Sequence, residues 1–176
     1  INSIAQDTTL IFQFESGFAS DSLKRTLSKE TLANIKAQND NISYLDIMAM
    51  VSGAIRPAGE SYREQLFAGV YNDNGNAALN EFLKPTLGYL VYQEQIIDFL
   101  HEFCGFTMGQ ADIVRRHFAK KTGTEADIPI IENGGYMLDI HGNKDPRYIK
   151  GFIAVAQEKY GMTEEEARSA IKSFLV

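Results

Sequence analysis

The chain has 176 residues, 44% of them hydrophobic and 23% charged, with a formal net charge of −6. That length suits one domain with a buried core, and the negative excess is shared evenly by the two halves, which excludes a general basic footprint for nucleic acid. The single Cys104 excludes an internal disulfide and any zinc spacing. No apolar run reaches about 18 residues, so no membrane span is expected, and no secretory leader is visible, so a reducing cytoplasm is the expected setting.

Ile1–Thr9 is polar and reads as loop, and Leu10–Phe14 (LIFQF) as a short buried strand. Asp21 is placed to cap a helix over 22–27, and Ser28 one over 29–37. Ser43 and Asp46 have capping-box spacing ahead of a helix from Tyr44 to about Gly53. Arg56-Pro57-Ala58-Gly59 predicts a turn, 60–71 a helix, Asn72–Gly75 a second turn, and Ala77–Leu83 a short helix stopped before Pro85.

The most polarised stretch is Gly88–Lys121. Arg115, Arg116, Lys120 and Lys121 place four of the chain's 17 basic residues within seven positions. A helix over 92–103 should bury Ile96, Leu100, Phe103 and Cys104, with Ile97 beside them, while Glu94, Asp98 and Glu102 form an acidic stripe. That stripe is either a solvated face or one turned toward basic residues. Thr107-Met108-Gly109-Gln110 fits a capping box and opens the basic helix, with Ala111, Val114 and Phe118 inward, Asp112, Arg116 and Lys120 outward, and Gly123 as its C-cap. Ile128–Asp139 reads as a β-hairpin turning at Asn133-Gly134, with Pro129 restricting its strand to an edge. Helices are expected over 147–160, ending at Gly161, and 164–175, the latter opened by Thr163 and Glu166. The fold class expected is mainly α: a multi-helical domain with a few short strands and one hairpin at about 128–139.

Several chemistries are missing from the sequence. It has no phosphate-binding loop of the Gly-x-x-x-x-Gly-Lys type and no Gly-x-Gly-x-x-Gly. His101, His117 and His141 share no ligand spacing, and the one candidate calcium loop, around Gly75, would need a carboxylate where Val70 stands. No Asp-x-Asp pair occurs, although metal-assisted nucleotidyl transfer needs carboxylates to hold its ions. Neither a catalytic nor a metal-ligating set is assigned.

The run Lys84-Pro85-Thr86-Leu87-Gly88-Tyr89-Leu90-Val91-Tyr92-Gln93-Glu94-Gln95, then Gly105 through Arg116 (GFTMGQADIVRR) and Lys120-Lys121, resembles the bacterial replicative DNA polymerase III alpha subunit family (polymerase family C). Thr8–Ser16 resembles that family's threonine-rich lead into phenylalanine-glutamine-leucine-glutamate-serine. Leu45–Pro57 resembles its helix ending in arginine-proline. The blocks keep the family's order across about residues 8–121.

The resemblance implies a piece of the fingers domain, a single partial domain over 1–176, with 124–144 a hairpin-bearing insertion that has no family counterpart. It implies a DNA-directed DNA polymerase as parent, whose two Mg²⁺ ions are held by palm aspartates outside this chain, with no cofactor in the chain itself. Implied partners are primer-template DNA and deoxynucleoside triphosphate, and, for the parent, the sliding clamp and other replisome subunits. Carried over by position, Arg56, Arg115, Arg116, Lys120 and Lys121 are expected at nucleotide or DNA phosphates, and Tyr92, Gln93 and Glu94 at the nucleotide pocket. Guanidinium groups suit phosphate because they bind it bidentately, and a tyrosine ring suits a base as a stacking surface. Departures are Ala58-Gly59 after Arg56-Pro57, His117-Phe118-Ala119 before the lysine pair, and extra length at Asn39–Ser43. A non-catalytic helical binding module on the same scaffold, or a purely structural helical domain, is the alternative reading.

Overall fold

A computed structural model describes residues 17–55 and 61–175. The chain forms two compact units, Ile1–Tyr92 and Gln93–Val176. The expected strand at Leu10–Phe14 and the turn at Arg56–Gly59 lie outside the described residues.

Within the first unit, helices run Gly17–Thr26 (α1), Lys29–Gln38 (α2), Tyr44–Ala54 (α3), Arg63–Phe67 (α4) and Ala77–Leu83 (α5), followed by a 3₁₀ turn at Lys84–Thr86. Helix α1 buries Ala19, Ser22, Leu23 and Thr26, the i, i+3, i+4, i+7 spacing of one face. That face carries the helix upstream of Asp21, which therefore lies inside α1 rather than capping it. The buried hydroxyls stay satisfied on their own helix: Ser22 Oγ donates to the Phe18 carbonyl and Thr26 Oγ1 to the Ser22 carbonyl, both at 2.8 Å. Ile47, Met50, Val51 and Ala54 of α3 complete the core with Leu66, Phe67 and Leu87.

The other two expected caps of this unit form. Ser28 accepts the Thr31 amide, and Ser43 and Asp46 make a reciprocal capping box. Each is worth about 1 kcal/mol. The Ser43 hydroxyl holds the Asp46 carboxyl below its ordinary range.

The helix expected over 60–71 is confined to α4, because Ala68 and Gly69 (φ 72°) turn the chain out of it. Asn72 then donates from Nδ2 to the Gly88 carbonyl at 2.9 Å, and Asn80 donates to Asp73 at 2.9 Å. This carboxamide network pins the 72–75 turn beside Gly88. The segment after it packs on α3 at Gly53, where an added Cβ would lie 2.6 Å from Val91 Cγ1 and 3.6 Å from the Tyr92 ring.

Helices of the second unit are Gln93–Cys104 (α6), Met108–Lys120 (α7), Thr124–Asn133 (α8), Phe152–Tyr160 (α9) and Glu164–Leu175 (α10). Helix α6 packs on α7 and α9, and α9 on α8 and α10. The inward residues of α6 are Phe99, Leu100, Phe103 and Cys104, while Ile96 and Ile97 are only half-buried. Phe99 claims that face through stacking, with ring centroids 4.4 Å from Phe174 and 5.7 Å from Phe103. Cys104 is fully buried, and burial pushes its thiol well above the usual range, so it behaves as a small apolar core group. Glu94, Asp98 and Glu102 are exposed.

The hairpin over 128–139 is not there, and among the described residues there is no strand. Residues 124–133 are helical, with Pro129 inside the helix, where it forgoes one backbone bond. Two contacts outweigh that cost. Ile131 is fully buried, and the buried Asp127 carboxylate lies 2.6 Å from His117 Nδ1. Gly123, expected as the C-cap of α7, is instead the N-cap residue of α8, and Lys121 itself takes the left-handed cap conformation at φ 54°.

Residues 134–151 form a loop drawn together by two isolated antiparallel bridges, Gly135 with Ile149 and Leu138 with Lys144. Tyr148, Ile149 and Lys150 alternate exposed, buried, exposed, an extended pattern that delays α9 to Phe152 instead of Arg147. Asp145 fixes the loop's return: its carboxylate accepts the Arg147 amide at 2.9 Å and the Arg147 guanidinium at 3.2 Å, and those bonds hold it below its ordinary range. Gly161 ends α9 and Thr163 accepts the Glu166 amide at 3.2 Å, as expected.

Candidate nucleotide-phosphate interface

Helix α7 organises the site. Its N-terminus is fixed by the Thr107–Gln110 capping box, in which the Thr107 hydroxyl accepts the Gln110 amide at 3.1 Å and Gln110 Oε1 accepts the Thr107 amide at 3.0 Å. Gln110 is buried, and its Nε2 also donates to the Arg147 carbonyl at 3.4 Å. Ala111 and Val114 face the core. That anchoring turns Asp112, Arg115 and Arg116 to the outer side of the helix, with Lys120 one turn beyond Arg116.

The arginines are not two equivalent free charges. Arg115 is three-quarters buried at 23% side-chain exposure and donates from Nε and Nη2 to Asp112 Oδ1 at 3.0 and 2.8 Å. Its Nη1 donates to Gln93 Oε1 at 3.0 Å. Arg116 is 58% exposed and meets the same carboxylate through Nη2 and Oδ2 at 2.8 Å. Asp112 thus faces both guanidinium groups, and its carboxyl is held below the ordinary range, first by the Arg115 hydrogen bond. Four cations against one carboxylate leave the 112–121 segment with three positive charges in excess.

The expected site residues therefore divide. Gln93, Arg115 and Arg116 come together. Lys120 and Lys121 stand exposed at the C-terminal end of α7, about 6 Å along the axis from Arg116 at the helical rise per residue. Glu94 is exposed in the first turn of α6. Tyr92, in the first unit, is half-buried with its ring against Gly53. Arg56 lies outside the described residues. Asp112 is the member that sequence reasoning left out of the site, although its i+3 and i+4 spacing to the two arginines was visible in the sequence.

The described residues hold no group of three or more His, Cys, Asp or Glu placed for a metal ion. They also contain no helix long and apolar enough to cross a membrane. The donor set of this face does not fit the two Mg²⁺ ions of a polymerase.

The bacterial DNA polymerase III alpha subunit finger domain model matches residues 3–128, ending inside α8. The chain is 33% identical over 149 residues to the DNA polymerase III subunit alpha of Pasteurella multocida (strain Pm70), which covers 77% of this chain and 12% of that protein. The subunit of the same name from Streptococcus pyogenes is 33% identical over 119 residues, covering 65% and 10%. That from Halalkalibacterium halodurans is 32% identical over 121 residues, covering 66% and 10%. The chain spans about a tenth of the length of these curated relatives. No solved structure matches it. With the matched model covering well over half the chain, and the Arg115–Arg116 and Gln93 blocks inside the matched span, this chain belongs to the bacterial DNA polymerase III alpha subunit finger-domain family.

Proposed function

We propose that the chain is part of the fingers of a DNA-directed DNA polymerase of bacterial replication. In this reading it positions the incoming deoxynucleoside triphosphate and the template and makes no bond itself. The observation that carries the reading is the assembly of Arg115, Arg116 and Gln93 on one face at the α6–α7 pair. Arg116, Lys120 and Lys121 offer exposed positive charge to phosphates, with Arg115 fixed behind them, and charge placed around a transferring phosphoryl group is what that chemistry gains most from. Arg56 is assigned to the same phosphate set, Gln93 and Glu94 to the edge of the nucleotide pocket, and Tyr92 to stacking on base or sugar.

The parent enzyme, in this reading, extends a primer 3′ end with Mg²⁺ held by carboxylates outside this chain. It works in the cytoplasm on primer-template DNA, alongside a sliding clamp and other replisome subunits. Of the expected insertion over 124–144, residues 124–128 fall inside the matched family span, and the remainder is read as an addition to the scaffold.

The test is equilibrium binding of fluorescent primer-template DNA to the 176-residue chain as salt is raised. Arg56, Arg116, Lys120 and Lys121 engaged with phosphates predict that log K falls against log salt with a slope of about −3 to −4. Binding indifferent to salt contradicts the phosphate assignment, and robust primer extension by the chain with Mg²⁺ contradicts the non-catalytic assignment.

A further inference from the structure

Asp112 presents two carboxylate oxygens to two arginines, and the two contacts differ in kind. Toward Arg115 it accepts two bonds, and with Gln93 it accounts for three of the five N–H donors of a guanidinium that is three-quarters buried. Toward Arg116 it makes one contact at 2.8 Å to a side chain more than half exposed. Exposed pairs of the second kind contribute little and exchange readily. The first kind, held from two directions, does not need to open.

We propose that Asp112 is a specificity-determining clasp that makes this end of α7 discriminate against single phosphates. The inference rests on the phosphate-binding reading above. An arriving anion must take Arg116 from the carboxylate. A lone phosphate replaces one anion with another at that arginine and gains little. A chain of phosphates reaches Lys120 one turn further on as well, so it gains an interaction that Asp112 never supplied. Arg115 keeps its bonds to Asp112 and Gln93 throughout and acts as a positioning residue, keeping the carboxylate where it competes.

The test uses the whole chain labelled with ¹⁵N-arginine, following the Nε–Hε signals of Arg115 and Arg116 at low ionic strength. Orthophosphate and tripolyphosphate are titrated separately. In the unaltered chain, tripolyphosphate moves the Arg116 signal at least about tenfold more tightly than orthophosphate, while the Arg115 signal stays at its hydrogen-bonded position. Asp112→Asn raises orthophosphate affinity by about fivefold, the factor expected from removing one unit charge some 4 Å away in a water-like dielectric. It raises tripolyphosphate affinity less, so the ratio narrows, and Asp112→Glu restores the ratio, which a merely structural role would not do. An unchanged ratio, or weaker orthophosphate binding, in Asp112→Asn overturns the clasp while leaving the phosphate site standing. Absence of tripolyphosphate binding by both proteins overturns the phosphate reading and the clasp with it.

Discussion

Replacing both arginines, Arg115→Ala with Arg116→Ala, is expected to lower the chain's affinity for primer-template DNA at least about tenfold and to flatten its salt slope by about 1, for the phosphate left without the Arg116 guanidinium. The effect has two parts. Two cations leave α7, and the Asp112 carboxylate, which had faced both of them, remains as an uncompensated negative charge on the helix that carries Lys120. Arg116→Ala alone should account for most of the loss, because Arg115 is already engaged by Asp112 and Gln93. The fold should survive, since Gln110, Ala111 and Val114, the buried residues of α7, are untouched. Circular dichroism on the same samples checks this.

A large stability effect is expected at Gly134, where the loop of residues 134–151 closes. Gly134 has φ 83° and ψ 178°, and a Cβ there would stand 2.4 Å from the carbonyl oxygens of both Ile149 and Lys150. Those atoms are backbone, and neither segment is free to move. Gly135 exchanges bonds with Ile149 at 2.9 Å in both directions, and the Gly151 amide donates to the Cys104 carbonyl at 2.9 Å. Gly134→Ala combines positive-φ strain with a main-chain clash and should cost at least about 3 kcal/mol, lowering the melting temperature by roughly 10 °C. Gly142 is the internal comparison. It has φ 79° but nothing within 4 Å of its Cβ position, so Gly142→Ala should cost only about 1 kcal/mol. Equal losses at the two positions would mean that dihedral strain alone, not the close approach of the two backbones, sets the stability of this loop.

Elements whose signals are local were legible in the sequence. The Ser43–Asp46 and Thr107–Gln110 boxes formed as spaced, and α5 kept the expected Ala77–Leu83 bounds, because Asn76 caps it and Pro85 follows. Residues 128–139 went the other way. Ile128, Pro129, Ile130 and Ile131 ahead of Asn133-Gly134 imitate a strand and a hairpin turn. What decides for helix is a buried Asp127 paired with His117, ten residues away, and a core place for Ile131, neither of which a local pattern records. Of the two antiparallel bridges that do occur, the inner joins Leu138 to Lys144 across a turn where Asp139 Oδ1 accepts the amides of His141 and Asn143 at 2.8 and 2.9 Å.

The site was half legible for the same reason. Four cations in seven positions mark α7 as the most polarised stretch, and the family resemblance, not the charge by itself, makes it a phosphate candidate. Their inequality depends on Gln93, 22 residues away, reaching Arg115, and on one carboxylate facing both arginines. Spacing placed Asp112 within reach of them, but only the folded α6–α7 pair shows Arg115 anchored and Arg116 exposed.

Photolabelling with an aryl-azide deoxynucleoside triphosphate, followed by peptide mapping of the intact chain, decides whether the α6–α7 face handles nucleotide. Label is expected to concentrate within residues 92–121, to be displaced by unmodified nucleotide and to fall strongly in the Arg115→Ala, Arg116→Ala double variant. Label of equal yield in that variant, or label confined to other segments, would contradict the assignment of nucleotide handling to this face.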